Sequence, residues 1–173
     1  MIGEGGVGRR WQPAYVALGS NLADPAAQLE AALLAMRALM ETRIVTVSPF
    51  YLSPPMGPQD QPAYVNAVAG LLTRLAAPAL LSALKALERA QGRPADAPRW
   101  GPRVIDLDII ALGRQQVSQP GLTIPHPGAA ARAFVLRPLA DIAPALELPG
   151  MGRLEALLAQ VELVGLERLE PPA

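Results

Sequence analysis

The chain has 173 residues, 51% of them hydrophobic, and its 15 basic side chains equal its 15 acidic side chains in number. This composition indicates one globular domain with a substantial core and excludes an intrinsically disordered chain. Because nucleic-acid-binding proteins usually carry a basic excess, the zero net charge speaks against a nucleic-acid partner. The sequence contains no cysteine, which excludes a disulfide framework and a thiolate metal site.

No segment has the length and apolar character of a transmembrane helix, and the N-terminus lacks the apolar centre of a signal peptide. We therefore expect a cytoplasmic protein with no membrane partner. Gly3, Gly5 and Gly8 match the pattern G-x-G-x-x-G, but a dinucleotide-binding fingerprint needs a strand before it and a helix after it. Neither is predicted here, so we interpret residues 1–13 as a flexible tail and residues 14–173 as a single domain.

The first predicted elements are a strand, a turn and a helix. Residues 14–18 form an apolar strand, and residues 19–21 (GSN) turn the chain. Asp24 is suited to cap a helix and Pro25 to begin it, so we predict a helix that runs to about Glu41. Apolar residues at helical spacing form its buried stripe, namely Leu29, Leu33, Met36 and Met40.

The next stretch predicts two strands joined by a stiff loop. Residues 44–51 form a strand at a sheet edge or with a bulge, since their internal proline cannot donate to a neighbouring strand. Residues 53–62 contain four prolines and are either a preorganised wall of a ligand site or a plain connector. A further strand over residues 64–75 places Tyr64 and Asn66 on one face. The amide of Asn66 has donors and an acceptor, which suits the edge of a heterocycle.

A second helix is predicted from Pro78 to Gly92, because glycine favours a helix end. Lys85 and Glu88 are spaced to form an ion pair on its surface. Lys85 is also the only lysine in the chain, so the other basic residues are arginines, which suit bidentate contacts with phosphate. The inner stripe of this helix is Leu80, Leu84 and Leu87.

A strand centred on Asp106 and Asp108 carries the strongest chemical signal in the sequence. β-Branched residues flank both acids, so both carboxylates point to one face of a strand. Burying two carboxylates together is costly without a cation, which indicates a site for one or two metal ions. The alternative is an edge strand with two acids on its solvent face. Arg99, Trp100 and Arg103 point to a phosphate-rich substrate with a planar part. The alternating residues should face the core, namely Ile105, Leu107 and Ile109.

His126, the only histidine, lies in the segment LTIPHP (residues 122–127), after a predicted hairpin. A lone histidine is usually structural or merely exposed. Between prolines, and with Thr123 and Arg132 nearby, it could instead donate a hydrogen bond to phosphate.

The C-terminal part predicts less regular structure. Residues 134–136 precede a proline-rich passage that ends at Pro149, followed by a short amphipathic helix over residues 153–160 and a last strand over residues 163–169. The order strand, helix, strand, strand, helix, strand predicts an α+β fold of the ferredoxin-like βαββαβ type with a C-terminal extension. We expect an antiparallel sheet with helices packed on one face and the opposite face free to carry a site.

Four segments and Phe134 together resemble one known family. The segments are ALGSN (17–21), SPPMGPQDQPAYVNA (53–67), RWGPRVIDLDI (99–109) and LTIPHP (122–127). They resemble the 6-hydroxymethyl-7,8-dihydropterin pyrophosphokinases of folate biosynthesis, in colinear order over roughly residues 14–145. The resemblance implies transfer of pyrophosphate from ATP to the pterin hydroxymethyl group, giving AMP and a pterin diphosphate. We expect ATP and the pterin as the binding partners and a monomer in solution.

The resemblance also implies which residues form the site. Asp106 and Asp108 would hold two Mg²⁺ ions, and Arg93 and Arg103 would join them as catalytic residues. The pterin would contact Ser53, Pro54, Pro55, Met56, Tyr64, Asn66, Trp100 and Phe134. The ATP would contact Glu88, Arg93, Arg99, Arg103, Ile109, Thr123, His126 and Arg132.

The chain departs from some relatives at Ala95, Asp96 and Gly121, where they carry basic residues. Lys85 could supply part of the missing positive charge. We expect residues 93–102 to close over ATP, because the loop combines a glycine start, prolines and paired arginines. Two other classes remain open. Ferredoxin-like sheets also bind RNA, against which the zero net charge and the central acids speak, and an inactive pterin- or nucleotide-binding module would share the same binding residues.

Overall fold

The structure of the protein, a computed structural model, describes residues 9–171. Among these residues no helix is both long and apolar enough to cross a membrane. The strands are β1 (Gln12–Ser20), β2 (Thr42–Val47), β3 (Tyr51–Ser53), β4 (Tyr64–Thr73), β5 (Asp106–Leu112), β6 (Val117–Gln119), β7 (Leu122–Ile124), β8 (Glu147–Leu148), β9 (Gly152–Arg153) and β10 (Glu167–Arg168). The helices are α1 (Pro25–Arg37), α2 (Ala77–Ala90), α3 (Ala133–Ile142) and α4 (Leu154–Leu158).

The main sheet is antiparallel, as predicted. Within the described chain, β10, β3, β4, β1 and β5 follow one another across it, and β2 pairs with β4 beside β3. β1 and β4 lie at the centre and are covered on both faces, which explains their nearly continuous apolar sequences. Gly19 in β1 is in register with Asn66 in β4 on one side and with Asp106 in β5 on the other.

Helices lie on both faces of this sheet. α1 and α2 cover one face, where Leu107 and Leu18 are buried with the predicted core residues Ile105 and Ile109. α3 and α4 pack on the other face with Ile110. The two helices of the βαββαβ pattern, α1 and α2, thus share one face as predicted, but the expectation that the opposite face is free is wrong. α3 covers part of the second face, and the cavity described below occupies the rest.

α3 itself contradicts the predicted proline-rich irregular passage. Pro138 lies inside the helix, where it lacks an N–H donor and normally interrupts helical structure. The helix nevertheless buries Val135, Leu136 and Leu139 against the sheet and α4. This apolar contact compensates for the missing backbone hydrogen bond. A prediction made from the prolines alone does not take this contact into account.

α1 is shorter than predicted. It ends at Arg37 rather than Glu41, which adopts a left-handed backbone conformation with φ of 58°. Leu29, Leu33 and Met36 are buried as predicted, but Met40 lies beyond the helix and is 84% exposed. Its place in the buried stripe is a wrong prediction, because the helical spacing does not continue that far.

The predicted strand over residues 44–51 is two strands separated at Pro49. The Ser48 hydroxyl accepts a hydrogen bond from the Val68 amide across this break, at 2.9 Å. The predicted last strand is reduced to β10, which pairs with β3.

The prediction of a flexible tail falls mostly on residues that the structure does not describe. Residues 1–8, which include the three glycines of the G-x-G-x-x-G match, lie outside the described residues. β1 begins at Gln12, two residues before the predicted strand start.

Candidate active site

A cavity of about 620 Å³ opens at the ends of β1, β4 and β5. Three loops and the start of α3 complete its walls, and one of these loops, residues 125–132 between β7 and α3, carries His126 and Arg132. We call residues 54–63, between β3 and β4, the proline loop, and residues 91–105, between α2 and β5, the arginine loop. Most of the residues proposed from the sequence line this one cavity: Ser53, Pro54, Met56, Tyr64, Asn66, Arg93, Arg99, Trp100, Arg103, Asp106, Asp108, His126, Arg132 and Phe134.

The acid pair lies on the predicted strand face. Asp106 and Asp108 both line the cavity, while Leu107 between them is fully buried in the core behind. Burial raises the pKa of Asp106 above its ordinary value, and the charge of Asp108 raises it further. Arg93 and Arg103 oppose this rise only in part. The pair therefore has an electrostatic need for additional positive charge.

Three basic side chains approach the acids. Arg93 Nη1 lies 2.5 Å from Asp106 Oδ1, and Arg103 Nε lies 3.9 Å from Asp106 Oδ2. Lys85 Nζ lies 4.0 Å from Asp108 Oδ1. Arg103 Nη1 is buried and has no hydrogen-bond partner within residues 9–171. A buried guanidinium N–H without a partner is costly, so this arginine is available to bind an oxyanion.

The residues present suit Mg²⁺ bound together with phosphate. No group of three or more histidine, cysteine, aspartate or glutamate side chains that could hold a metal occurs in the described part of the chain. Mg²⁺ is commonly bound by one or two carboxylates, with substrate phosphates and water completing its octahedron. Asp106 and Asp108 could hold such an ion, since carboxylate oxygens are the hard ligands that Mg²⁺ prefers.

On the other side of the cavity, a buried amide and two aromatic rings form the wall. Asn66 Nδ2 donates to Ser53 Oγ at 2.7 Å, and both side chains are buried. This hydrogen bond fixes the amide plane and leaves the Asn66 carbonyl oxygen free of intramolecular bonds among the described residues. Tyr64 Oη donates to the Gly101 carbonyl at 3.1 Å, and burial raises the pKa of its phenol, so the proton is retained. Trp100 is 41% exposed.

β3, which carries Ser53, is anchored from behind. Tyr51 Oη donates to Asp141 Oδ2 of α3 at 2.5 Å, and Arg137 Nη2 donates to Asp141 Oδ1 at 2.7 Å. Burial, and next the hydrogen bond to Asp141, raise the pKa of Tyr51. These contacts tie the short strand to α3 and hold Ser53 in place against Asn66.

His126 has a defined tautomer when neutral. Its Nδ1 accepts a hydrogen bond from the Gly128 amide at 3.0 Å, so the proton of the neutral ring resides on Nε2. Burial lowers the pKa of His126, although the Asp108 charge opposes this shift. The neutral ring therefore presents an N–H donor from the wall of the cavity, which suits a phosphate or ribose oxygen.

Four sequence-proposed residues do not line the cavity. Ile109 is buried on the opposite face of β5, as strand alternation from Asp108 requires. Thr123 is exposed on β7. The Pro55 carbonyl accepts a hydrogen bond from Gln59 Nε2 within the proline loop. Glu88 is 2% exposed and behind the acid strand. It accepts hydrogen bonds from the Leu107 amide, Arg93 and Lys85, at 2.7, 2.7 and 2.9 Å.

Sequence reasoning missed several lining residues: Ala17, Leu18, Gly19, Ile110, Pro127, Gly128 and Val135. One of them, Gly19, lies in the motif ALGSN, whereas Gly128 lies outside the quoted motifs. A Cβ at Gly19 would lie 3.3 Å from Asn66 Oδ1, and one at Gly128 would lie 2.8 Å from the Arg132 guanidinium. Because a glycine has no side chain, Gly19 leaves space for Asn66 and Gly128 leaves space for Arg132, and both of these side chains line the cavity.

The chain is similar in sequence to one family of known proteins. The sequence matches the family model described as 7,8-dihydro-6-hydroxymethylpterin-pyrophosphokinase over residues 15–144. It is 56% identical over 158 residues to a 2-amino-4-hydroxy-6-hydroxymethyldihydropteridine pyrophosphokinase of Pseudomonas aeruginosa, covering 91% of this chain and 97% of that protein. The protein of the same name from Haemophilus influenzae is 46% identical over 158 residues, covering 91% and 98% respectively.

Among solved structures, HPPK-DHPS from Plasmodium falciparum matches with a TM-score of 0.70 at 12% identity. The match covers 87% of this chain and 43% of that chain, so this protein spans less than half of the larger one. At this identity the likeness shows the fold alone, a mixed α/β arrangement with an antiparallel sheet.

Proposed function

This chain belongs to the 7,8-dihydro-6-hydroxymethylpterin-pyrophosphokinase family, and we propose that its cavity at Asp106 and Asp108 is the active site. The enzyme transfers pyrophosphate from ATP to the hydroxymethyl group of 6-hydroxymethyl-7,8-dihydropterin, giving AMP and the pterin diphosphate, in folate biosynthesis. One observation carries the assignment of the site. A single cavity joins a carboxylate pair and its arginines to a wall with a buried amide and aromatic rings.

Asp106 and Asp108 would hold two Mg²⁺ ions together with the triphosphate of ATP. When bound, Mg²⁺ neutralises phosphate charge and polarises the phosphoryl group that is attacked. The raised pKa of Asp106 supports this role, because a cation bound between the two carboxylates would relieve their mutual repulsion. Arg93 and Arg103, which now share Asp106, would turn to phosphate oxygens as charge develops at the β-phosphorus.

The other ATP contacts surround this centre. Arg99 and Arg132 line the same cavity, and the protonated Nε2 of His126 would donate to the nucleotide. Thr123 lies close to His126 in sequence and would reach ATP only from the rim. Ile109 would support the nucleotide side from the core, through the position it gives to β5.

The pterin would occupy the opposite part of the cavity. Asn66, oriented by Ser53, would present its free carbonyl oxygen to the donor edge of the heterocycle. Trp100 and Phe134 would stack on its planar ring, and Tyr64 would close the pocket beside them. The backbone of residues 53–56, including Pro54, Pro55 and Met56, would complete the hydrogen bonds to the pterin edge.

We also propose a fold topology, a cellular location and an oligomeric state for this enzyme. We assign the βαββαβ core to the ferredoxin-like topology, with residues after α3 as a C-terminal extension; the strand order β3, β4, β1, β5 supports this. We propose that the enzyme acts as a cytoplasmic monomer. Residues 93–102 of the arginine loop would close over bound ATP and exclude water, since this segment follows Gly92 and combines prolines with paired arginines. Equal hydrogen-exchange rates in this loop with and without an ATP analogue would contradict closure.

Product analysis tests the reaction. The protein is incubated with ATP, Mg²⁺ and 6-hydroxymethyl-7,8-dihydropterin, and the nucleotide and pterin products are identified by mass spectrometry. We expect AMP and the pterin diphosphate in equal amounts. Formation of ADP and a pterin monophosphate would contradict pyrophosphoryl transfer. Binding of both ligands without turnover would instead identify an inactive binding module.

A further inference from the structure

The C-terminal part of the chain forms an edge of the main sheet and has no role in the proposed reaction. It follows α4 and lies beyond residues 15–144, the range that matches the family model. We call residues 161–169 the C-terminal segment. None of its residues lines the cavity, so any effect it has on a ligand must act through the residues that it contacts.

The C-terminal segment is anchored at both of its ends. Val161 packs against the apolar cluster of α3 and α4, and Leu169 packs against the cluster on the opposite face of the sheet. Between these anchors, the side chains of Leu163 and Val164 are exposed. The Leu166 amide donates to the Leu163 carbonyl at 3.1 Å and closes a turn. The segment thus passes from one face of the sheet to the other along the outer side of β3.

β10, within this segment, makes β3 an inner strand of the sheet. Its two residues are in register with Leu52 and Tyr51, and the Leu169 amide donates to the Phe50 carbonyl at 2.8 Å. β3 has only three residues, and its other side pairs with β4. It ends in Ser53, whose hydroxyl orients the buried amide on the pterin side. The position of Ser53 therefore depends on both neighbouring strands.

Gly165 brings the C-terminal segment into contact with the proline loop. Its φ of 76° lies in the left-handed region, which glycine adopts without strain. A Cβ at Gly165 would lie 2.9 Å from Pro54 Cγ and 3.2 Å from Pro54 Cδ. Because the proline ring is bonded to its own backbone nitrogen, it cannot rotate away as a long side chain can. Pro54 follows Ser53 directly and lines the cavity, so a displaced ring would move the backbone of the pterin wall.

We propose that Gly165 is a positioning residue for the pterin, because the C-terminal segment supports Ser53 and Pro54 from outside the cavity. The proposal rests on the assignment of the pterin side made above. A side chain at position 165 would displace Pro54 and weaken pterin binding. Among the described residues other than its chain neighbours, only Pro54 lies within 4 Å of a Cβ at Gly165. The nucleotide side should therefore be unaffected.

Pterin affinity measures this effect without turnover. The dissociation constant of 6-hydroxymethyl-7,8-dihydropterin is determined by calorimetry with saturating Mg²⁺ and α,β-methylene-ATP. This analogue blocks cleavage of the bond between the α- and β-phosphates, the bond that pyrophosphoryl transfer breaks. In Gly165→Ala we expect this constant to rise at least about fivefold, the low end of the cost of inserting a methyl group into a filled contact. The dissociation constant of the analogue, titrated without pterin, should keep its wild-type value.

Gly150→Ala is the matched control. Gly150 also has a φ of 76°, so alanine introduces a comparable backbone strain at both positions. A Cβ at Gly150 would make an ordinary contact with the Gln116 side chain, at 3.6 Å, and neither residue lines the cavity. This variant should lower the melting temperature and leave pterin affinity unchanged. An equal loss of pterin affinity in Gly150→Ala would trace the effect to lower stability and overturn the inference.

A double-mutant cycle with Pro54→Ala tests whether the effect passes through Pro54. This substitution removes Cγ and Cδ, the two atoms that the new methyl group would meet. Pro54→Ala should itself weaken pterin binding, and Gly165→Ala added to it should cause little further loss. The full loss from Gly165→Ala in this background would contradict the role of Pro54 and overturn the inference.

If Gly165→Ala does not fold, Gly165→Asn takes its place. Asparagine adopts a positive φ more readily than alanine does and carries the same Cβ, so it should show the same loss of pterin affinity. Wild-type pterin affinity in either folded variant would overturn this inference and leave the proposed reaction intact. A wild-type protein that does not bind the pterin would overturn the proposed function, and this inference with it.

Discussion

Asn66 and Asp106 lie on opposite sides of Gly19, each in register with it in the sheet. The amide that would recognise the pterin and the carboxylate that would hold the metal are thus separated by one strand. The strands β4, β1 and β5 set this separation, and loop movements do not alter it. Because rate depends on holding two reactants in a fixed mutual position, a sheet is a suitable platform for transfer between them.

Asn66→Ala should weaken pterin binding selectively. The change removes the free carbonyl oxygen from the pterin side and leaves Ser53 Oγ buried without its donor. We expect a loss of at least about tenfold in pterin affinity, since a buried donor or acceptor that is left without a hydrogen-bond partner costs free energy. Calorimetric titrations with the pterin and, separately, with ATP would check this. An equal loss of affinity for both ligands would contradict a specific role.

Gly19→Ala tests the close approach in the centre of the site. A Cβ there would lie 3.3 Å from Asn66 Oδ1 and 3.8 Å from Tyr64 Cδ1. The methyl group should displace the Asn66 amide and raise the KM for the pterin several-fold, with a smaller effect on the KM for ATP. Steady-state kinetics with each substrate varied in turn would measure both. An unchanged KM for the pterin would show that the amide tolerates the displacement.

Asp106→Asn should make the protein more stable at neutral pH while it removes a metal ligand. Burial and Asp108 raise the pKa of Asp106, so in the folded state the carboxyl group holds its proton to higher pH than in the unfolded chain. Above that folded pKa the ionised group destabilises the fold; below both pKa values this cost is absent. The gain in melting temperature should therefore shrink as pH is lowered into the acid range. A gain that grows toward acid pH would contradict this sign.

Lys85 offers a chemical test of the nucleotide side, because it is the only lysine in the chain. Its amine lies 4.0 Å from Asp108 and 2.9 Å from Glu88. We expect Lys85→Met to raise the KM for ATP several-fold and leave pterin affinity unchanged, since the positive charge beside Asp108 is lost from the nucleotide side. We also expect ATP with Mg²⁺ to slow acetylation of Lys85, followed by mass spectrometry. Equal acetylation with and without nucleotide would place the amine outside the ATP site.

The sequence predicted the strand of Asp106 and Asp108 correctly because alternation and β-branched flanks are local signals. It did not predict α3, since Pro138 is a local signal for an interrupted helix while the compensating burial of Leu136 and Leu139 is tertiary. The same limit applies to the site. The sequence spacing of Glu88 and Lys85 predicts a surface ion pair. Only the packing of α2 against β5 shows that Glu88 is buried and accepts a hydrogen bond from the Leu107 amide.

Some residues of the site were predictable only through long motifs. Asn66 and Ser53 are 13 positions apart, and their hydrogen bond depends on the pairing of β3 with β4. The resemblance predicts contact between Ile109 and ATP, yet strand alternation from Asp108 puts the Ile109 side chain in the core. Alternation alone would have selected Ile110, which lines the cavity.

The most direct test of the account is the rate of AMP formation by Asp106→Asn at saturating ATP, Mg²⁺ and pterin. Glu155→Gln, a change at an exposed carboxylate in the first turn of α4, is the control. We expect a loss of at least about 100-fold for Asp106→Asn, the scale seen when a group that stabilises transition-state charge is removed. The control should match the wild type. AMP formation by Asp106→Asn at the wild-type rate would show that the transfer takes place elsewhere on the protein.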